Sequence, residues 1–294
     1  MKYTIILILG LLVHHPFVVN AQEDTVRVSN ELDFLFYLLE HKQFDDADLY
    51  GNKLLADSVR FTSEFKDSVR FICASAWDKY KKPEKALALY DRIHDNSVFY
   101  YPASYRSALI EIERKNYSTG REKLENIYYD DKDYFTALKK FELSGIYLLM
   151  RDYAAFDSIQ TGFQSSDSLL VAENNYMLEC SSLLRNQKKK SGLLAGGLSA
   201  VIPGLGKVYT GKPWEGLASF IKTVPLAAIT YENYRADGFK SPQFYIFGSL
   251  FALFYVGNIW GSSISAKIEY QETSDEIIHN IVVGLRIPVD KYFR

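Results

Sequence analysis

The chain has 294 residues, 34 Lys and Arg against 36 Asp and Glu, and a formal net charge of -2. That balance excludes the basic footprint of a dedicated nucleic-acid binder. A hydrophobic content of 48% with 15% aromatic residues excludes a disordered chain and supplies core for one or two domains.

Residues 1–21 read as a secretory signal: Lys2 gives the positive region, Ile5 to Val13 the apolar stretch, and Val19-Asn20-Ala21 a cleavage site with a small last residue. The mature chain then starts near Gln22. An uncleaved anchor is the weaker reading, because His14, His15 and Pro16 interrupt a stretch already shorter than the ~20 residues a span needs. Export permits a disulfide between Cys73 and Cys180, the only two cysteines. They lie on different predicted helices, and two buried free thiols is the preferred reading.

From about 28 to 187, apolar residues recur at three- and four-residue intervals, as in Leu32, Leu35, Leu38 and Leu39, which predicts amphipathic helices. A local pattern returns four times: a basic residue, then an aromatic residue or Pro, then a small residue three further on. Its anchors are Phe44 with Ala47, Pro83 with Ala86, Tyr117 with Gly120, and Tyr153, where Phe156 takes the place of the small residue. The basic members are Lys42, Lys82, Lys115 and Arg151, and the anchors are 39, 34 and 36 positions apart. The pattern predicts helix pairs at 30–42 with 45–57, 67–81 with 84–94, 102–115 with 118–128, and 136–150 with 153–163, closed by a capping helix at 168–187. This resembles the tetratricopeptide repeat, in which a small residue lets the second helix of a pair approach the first and stacked pairs bury a continuous core. The resemblance implies a concave surface for a protein partner. Tyr100, Tyr101, Tyr105, Tyr128 and Tyr129 are candidates to line it, set against ordinary packing of the same rings.

Composition changes at Lys188-Lys189-Lys190. Ser191 to Gly206 carries no charge over 16 residues, and Ser241 to Ala266 none over 26. The second stretch predicts a transmembrane helix over 242–265. The segment 214–234, with Lys222 and Pro225 inside it, predicts another span. The stretch 192–203 is too short to cross and predicts a re-entrant or interfacial helix packed through Gly196 and Ala200. Gly257, Asn258 and Gly261 form a second small-residue face, with Asn258 placed to hydrogen-bond across it. Residues 188–270 therefore read as a membrane domain. The tail 271–294 reads as holding a short strand around Ile281-Val282-Val283.

The turn Pro203-Gly204-Leu205-Gly206-Lys207-Val208-Tyr209-Thr210-Gly211-Lys212-Pro213-Trp214-Glu215-Gly216 resembles the glycine-and-tyrosine hairpin of small two-span bacterial membrane domains, through Gly206, Tyr209, Gly211 and Gly216. The whole layout is similar to a group of exported bacterial proteins, frequent in Bacteroidota, that join helical repeats to a C-terminal Gly- and Pro-rich membrane domain. That resemblance implies no catalytic residues. Gly206, four residues, Gly211 and Lys212 match a phosphate-loop spacing, but Pro213 replaces the hydroxyl that would hold magnesium, so no nucleotide is expected. Arg185, Lys188, Lys189 and Lys190 suit lipid phosphates, with a solvated linker as the alternative.

His41, His94 and His279 stand alone in sequence, and no metal or nucleophile motif is present. No enzyme activity, cofactor or metal is expected. The chain thus reads as all-α: a helical-hairpin, tetratricopeptide-like array in 22–187 followed by a transmembrane helical hairpin. The expected function is a multi-pass scaffold of the bacterial inner membrane that holds a protein partner in the periplasm, within envelope assembly or secretion. Helical spans favour the inner membrane over the outer, whose spans are closed barrels. The alternative is a membrane component that handles lipid or lines a transport path through Lys222 and Asn258.

Overall fold

A computed structural model of the chain describes residues 21–57, 59–128 and 133–293. Residues 1–20 of the expected signal and Tyr129 lie outside the described residues. Every regular element among them is helical. In chain order these are α1 Ala21–Glu40, α2 Phe44–Ala56, α3 Ser63–Lys79, α4 Pro83–Tyr90, α5 Tyr100–Glu113, α6 Tyr117–Glu125, α7 Asp133–Leu149, α8 Tyr153–Thr161, α9 Ser168–Asn186, α10 Gly192–Val201, α11 Leu205–Thr210, α12 Pro213–Asp237 and α13 Pro242–Tyr292. The chain divides into two compact units, residues to Met177 with Ile281 onward, and Leu178–Asn280. The division falls earlier than the composition change at Lys188, and the last residues rejoin the first unit.

The first unit is built on four identical turns. α1, α3, α5 and α7 each end on a basic residue with positive φ: Lys42 at 59°, Lys81 at 57°, Lys115 at 66° and Arg151 at 61°. In each turn that residue donates its N–H to the carbonyl four positions before the next anchor's N-cap, and the N-cap itself donates five back. The pairs are Lys42 to Leu39 with Gln43 to Leu38, Lys81 to Asp78 with Lys82 to Trp77, Lys115 to Ile112 with Asn116 to Glu111, and Arg151 to Leu148 with Asp152 to Tyr147, all at 2.9–3.2 Å. These are the two bonds of a Schellman ending. Its outermost residue serves at once as N-cap of the second helix, so two helices reverse within three residues. The repeated basic residue of the second turn is therefore Lys81, not Lys82. A cation there faces the negative end of the helix it terminates.

The anchors then start the second helices. Pro83 occupies the first turn of α4, where its missing N–H costs nothing, and the Asp152 carboxylate accepts from Ala155 N–H at 3.1 Å. Three residues past each anchor, Ala47, Ala86, Gly120 and Phe156 are all buried. At Gly120 a Cβ would stand 3.0 Å from Ile112 Cγ1 and 3.2 Å from the Ala108 carbonyl oxygen. The fourth pair instead buries the whole ring of Phe156. Phe44 touches two core clusters, one of α1, α2 and α3 and one of α3, α4 and α5, which joins neighbouring pairs. Its ring lies 5.8 Å from Trp77 and 4.2 Å from Tyr80. Surface pairs tie successive second helices, Lys85 to Asp48 at 2.7 Å and Lys123 to Asp91 at 2.6 Å. Both cysteines are free and buried, and burial pushes the Cys73 thiol up to about 12.

The predicted tail strand is not formed. Residues 271–292 continue α13 as helix. Ile277, Ile281, Leu285 and Val289 are buried along one face at helical spacing, and that period outweighs the β preference of the Ile-Val-Val run.

Two substitutions test the turn. Gly120→Val is expected to lower the melting temperature, with a cost of about 1–3 kcal/mol from overpacking against Ile112. Lys115→Gly is expected to raise it, by about 1 kcal/mol or less, because glycine relieves the left-handed backbone. Circular-dichroism melts of the two variants check both signs.

Candidate interaction sites

In the first unit, the end of α13 packs on side chains from α3, α5, α7 and α9. The Arg286 guanidinium donates through Nη2 to both carboxylate oxygens of Asp78, at 2.9 and 3.2 Å. Its Nε lies 3.1 Å from Glu113 Oε1. Burial works against its charge, but Asp78, Glu113 and Asp290 outweigh burial and hold its pKa above the usual arginine value. Arg106 of α5 answers in the other direction: its Nη2 donates to the Phe293 carbonyl at 3.2 Å and lies 3.4 Å from Asp290.

Apolar contacts fix the register. Gly145 leaves a hollow that Leu285 fills, since a Cβ there would come within 2.5 Å of the leucine Cδ2. The Phe293 ring stacks on Tyr105 at 5.3 Å and on Phe135 at 6.0 Å. Leu285 and Val289 are fully buried. Tyr292 hydrogen-bonds Asp167, which with the Leu170 N–H lowers the pKa of that carboxyl. The expected tyrosines divide. Tyr105 is buried in this contact, Tyr101 stacks on Phe135 at 5.5 Å and donates to the Tyr128 carbonyl, and the Tyr128 ring is exposed.

One acid shares this face of α7. Phe135, Glu142 and Gly145 recur at helical spacing, and the first and last touch the C-terminal segment. Glu142 is fully buried, and neither carboxylate oxygen has a hydrogen-bond partner. Burial raises its pKa well above the usual glutamate value. His94, alone in sequence, is paired in space: its Nδ1 lies 3.0 and 3.2 Å from the two oxygens of buried Asp67. Arg70 Nη1 reaches the same carboxylate at 2.6 Å. The carboxylate is thus shared between two bases, as in a structural clamp.

The second unit holds the other expected residues. Gly204 and Gly211 bound α11 with φ of 89° and 99°. Gly206 has no room for a side chain, because a Cβ would fall 1.9 Å from the Ala195 carbonyl oxygen. At Gly216 a Cβ would likewise fall 2.6 Å from the Gly204 carbonyl oxygen. The glycine-rich turn, which also contains half-buried Pro203 and Tyr209, is therefore a close backbone packing between α10, α11 and the start of α12. Lys212 pairs with Glu272 at 3.2 Å and Glu269 at 3.8 Å. Gly196 packs on α13, its Cβ position 3.4 Å from Ser263 Cβ, and the Ala200 carbonyl accepts from Tyr255 Oη at 2.5 Å.

The second expected small-residue face differs. A Cβ at Gly257 or Gly261 would meet nothing within 4 Å among the described residues. Asn258 does not bond across that face. It is buried on another side, and its amide oxygen and nitrogen have no hydrogen-bond partner. It belongs to a polar line, Tyr255, Asn258, Ser262, Ser265, Glu269 and Glu272, on one side of α13. Ser199 donates to Ser262 at 2.7 Å, and Thr210 meets Ser265 at 3.1 Å. Such hydroxyl pairs join helices in an apolar medium.

The opposite surfaces are apolar and open. Leu253, Val256 and Trp260 of α13 are exposed, as are Trp214, Leu217, Phe220 and Ile221 of α12. Among the described residues one helix, α13, is long and apolar enough to cross a membrane, and only 6% of its most apolar window is buried. α12 is helical throughout the second expected span, but it also carries Glu215, Lys222, Glu232 and Arg235. Of the basic cluster, Arg185, Lys188 and Lys189 are exposed and Lys190 is half-buried. Arg185 Nε donates to Ser181 Oγ at 3.1 Å.

No family model, no curated protein and no solved structure matches the chain. Sequence reading passed over Asp78, Arg106, Glu113, Glu142, Arg286 and Phe293. The signal that would have found the last two was the spacing of Ile277, Ile281, Leu285 and Val289.

Glu142→Leu is expected to stabilise the protein at pH 7–8, by about 1–3 kcal/mol, through loss of an unsatisfied buried acid. In the native protein that acid favours the folded state below the unfolded glutamate pKa, and the benefit is lost as pH rises through the raised folded value. The melting temperature of the variant should therefore exceed that of the native protein more at pH 8 than at pH 5.

Proposed function

We propose that the protein is a membrane-anchored scaffold, in which the helical-hairpin array holds a protein partner and the second unit fixes it to a bilayer. The observation that supports this most is the contrast in burial. The array has a closed core, whereas α13 presents an apolar stretch of span length almost wholly to its surroundings. An exposed patch of that size is what a lipid or protein contact requires. The tetratricopeptide-like turns support the array's role, since stacked hairpins in such arrays serve as binding surfaces.

In this reading α12 and α13 form a two-pass hairpin, with Arg185 and Lys188 to Lys190 at the lipid headgroups and the array exported to the periplasm of a bacterial inner membrane. Envelope assembly or secretion is the process to which such an anchor fits. A second reading, a lipid-handling or transport component, is favoured by one observation: the buried amide of Asn258 lacks a partner within an otherwise apolar helix, and polar groups at such depth are commonly functional.

The test is fractionation followed by in-cell photo-crosslinking. The full-length protein is expected to stay in the membrane pellet after carbonate washing, and crosslinkers at exposed Leu49, Val98 or Tyr128 should yield a discrete protein adduct. Release of the protein by carbonate, or adducts only from positions in residues 191–270, would contradict the scaffold reading. Lys222→Leu should leave both those adducts and the cellular phenotype unchanged; loss of the phenotype with the adducts intact would favour the second reading.

A further inference from the structure

Resting on the scaffold reading, we infer that the face made by α3, α5, α7 and α9 is the partner site, that its ligand is an amphipathic helix, and that the chain's own residues 281–293 are a resident occupant which the partner displaces. The ligand's chemistry follows from what the face already holds. A leucine-sized side chain enters the hollow at Gly145. An arginine immediately after it lies between Asp78 and Glu113. An aromatic ring two turns further on stacks against Tyr105 and Phe135. The C-terminal end of the helix meets Arg106, which takes a backbone carbonyl and a carboxylate.

These features form one linear code, with an aliphatic residue, an arginine next to it and an aromatic residue eight positions on, read by side chains from separate helices. A helix bound by such anchors is recognised by charge and shape together. The resident segment has properties of a replaceable occupant. Pro288 lies within its helix, where it removes an N–H and leaves the Gly284 carbonyl without its intrahelical donor. Gly284 lies in the same turn and adds backbone freedom. The segment therefore pays more to be helical than a partner helix free of both residues would pay.

Charge complementarity makes a protein helix the favoured ligand over lipid. The acceptors Asp78 and Glu113 are carboxylates, which repel the phosphates of a headgroup and attract a guanidinium. Competition of this kind reduces the apparent affinity of an outside helix by the fraction of molecules in which the face is open.

The experiment uses a fluorescein-labelled peptide of residues 277–294 and the detergent-purified full-length protein, with fluorescence anisotropy as readout. Arg286→Glu in the protein sets the resident helix against Asp78 and Glu113. It is expected to tighten binding of the native-sequence peptide by about tenfold or more, from release of the occupied face. Adding Asp78→Lys to that variant should abolish the gain. A peptide carrying Arg286→Glu should not bind.

A second variant guards against loss of fold. Gly145→Cys with Leu285→Cys places two thiols at the hollow. The oxidised, locked protein should exclude the peptide, and reduction should restore the binding of the unlocked chain. Peptide affinity that is indifferent to Arg286→Glu, to Asp78→Lys or to the lock would overturn the proposal. A failed partner capture with an intact peptide response would sink the scaffold reading alone, and the converse would sink only this site.

Discussion

A three-residue reversal, held by two backbone hydrogen bonds and a left-handed basic residue, sets the geometry on which the first unit depends. Because the last residue of the Schellman ending is also the N-cap of the following helix, the chain has no freedom to vary the angle at which the pair closes. The buried position three residues past each anchor then fixes how near the second helix comes. Alanine and glycine hold it close in three pairs, and the ring of Phe156 fills the fourth. The first helices are thereby presented side by side, with Asp78, Arg106, Glu113 and Gly145 on one face. Left-handed backbone at a lysine or arginine costs about 1–2 kcal/mol, so four such residues represent a real expense that the core and the helix-end charge must offset.

That face is not empty. It carries the end of the chain, and the contact is specific in a sense that apolar packing alone is not. Arg286 is shared between two carboxylates from different helices, and removal of one member of such a partly buried group leaves an unpaired charge. Glu142, on the same side of α7, is the opposite case, a buried acid without a hydrogen-bond partner whose pKa burial raises well above the usual glutamate value. A protein optimised only for stability would place a leucine there.

The helix pairs were legible in the sequence because the anchors Phe44, Pro83, Tyr117 and Tyr153 mark the first residues of α2, α4, α6 and α8. Turn chemistry is local, and local signals survive without an alignment. The sign of φ at the basic residues was not legible, since lysine and arginine are not usual left-handed residues, and this put the basic member of the second repeat at Lys82 instead of Lys81. The tail failed for a different reason. Ile281-Val282-Val283 is rich in β-branched residues and Pro288 signals a break, so local propensity pointed to a strand. Burial against four other helices decided otherwise, and that information is not local. The pairing of His94 with Asp67, and the openness of Gly257 and Gly261, are tertiary facts of the same kind.

The second unit has the features that apolar surroundings would demand. Its inner contacts use glycine, serine and threonine at backbone distance, and its outer surfaces display Leu253, Val256 and Trp260. Both features suit a helix assembly whose solvent is hydrocarbon. Central to the proposal is that residues 281–293 stay folded onto the helical hairpins while residues 242–266 would lie in lipid. Hydrogen–deuterium exchange on the full-length protein in lipid nanodiscs tests both at once. The account predicts slow exchange at 281–292, comparable to that of α5, and slow exchange across 242–266 that is lost when lipid is replaced by detergent-free buffer. Fast exchange at 281–292, or protection at 242–266 that is the same with and without lipid, would contradict it.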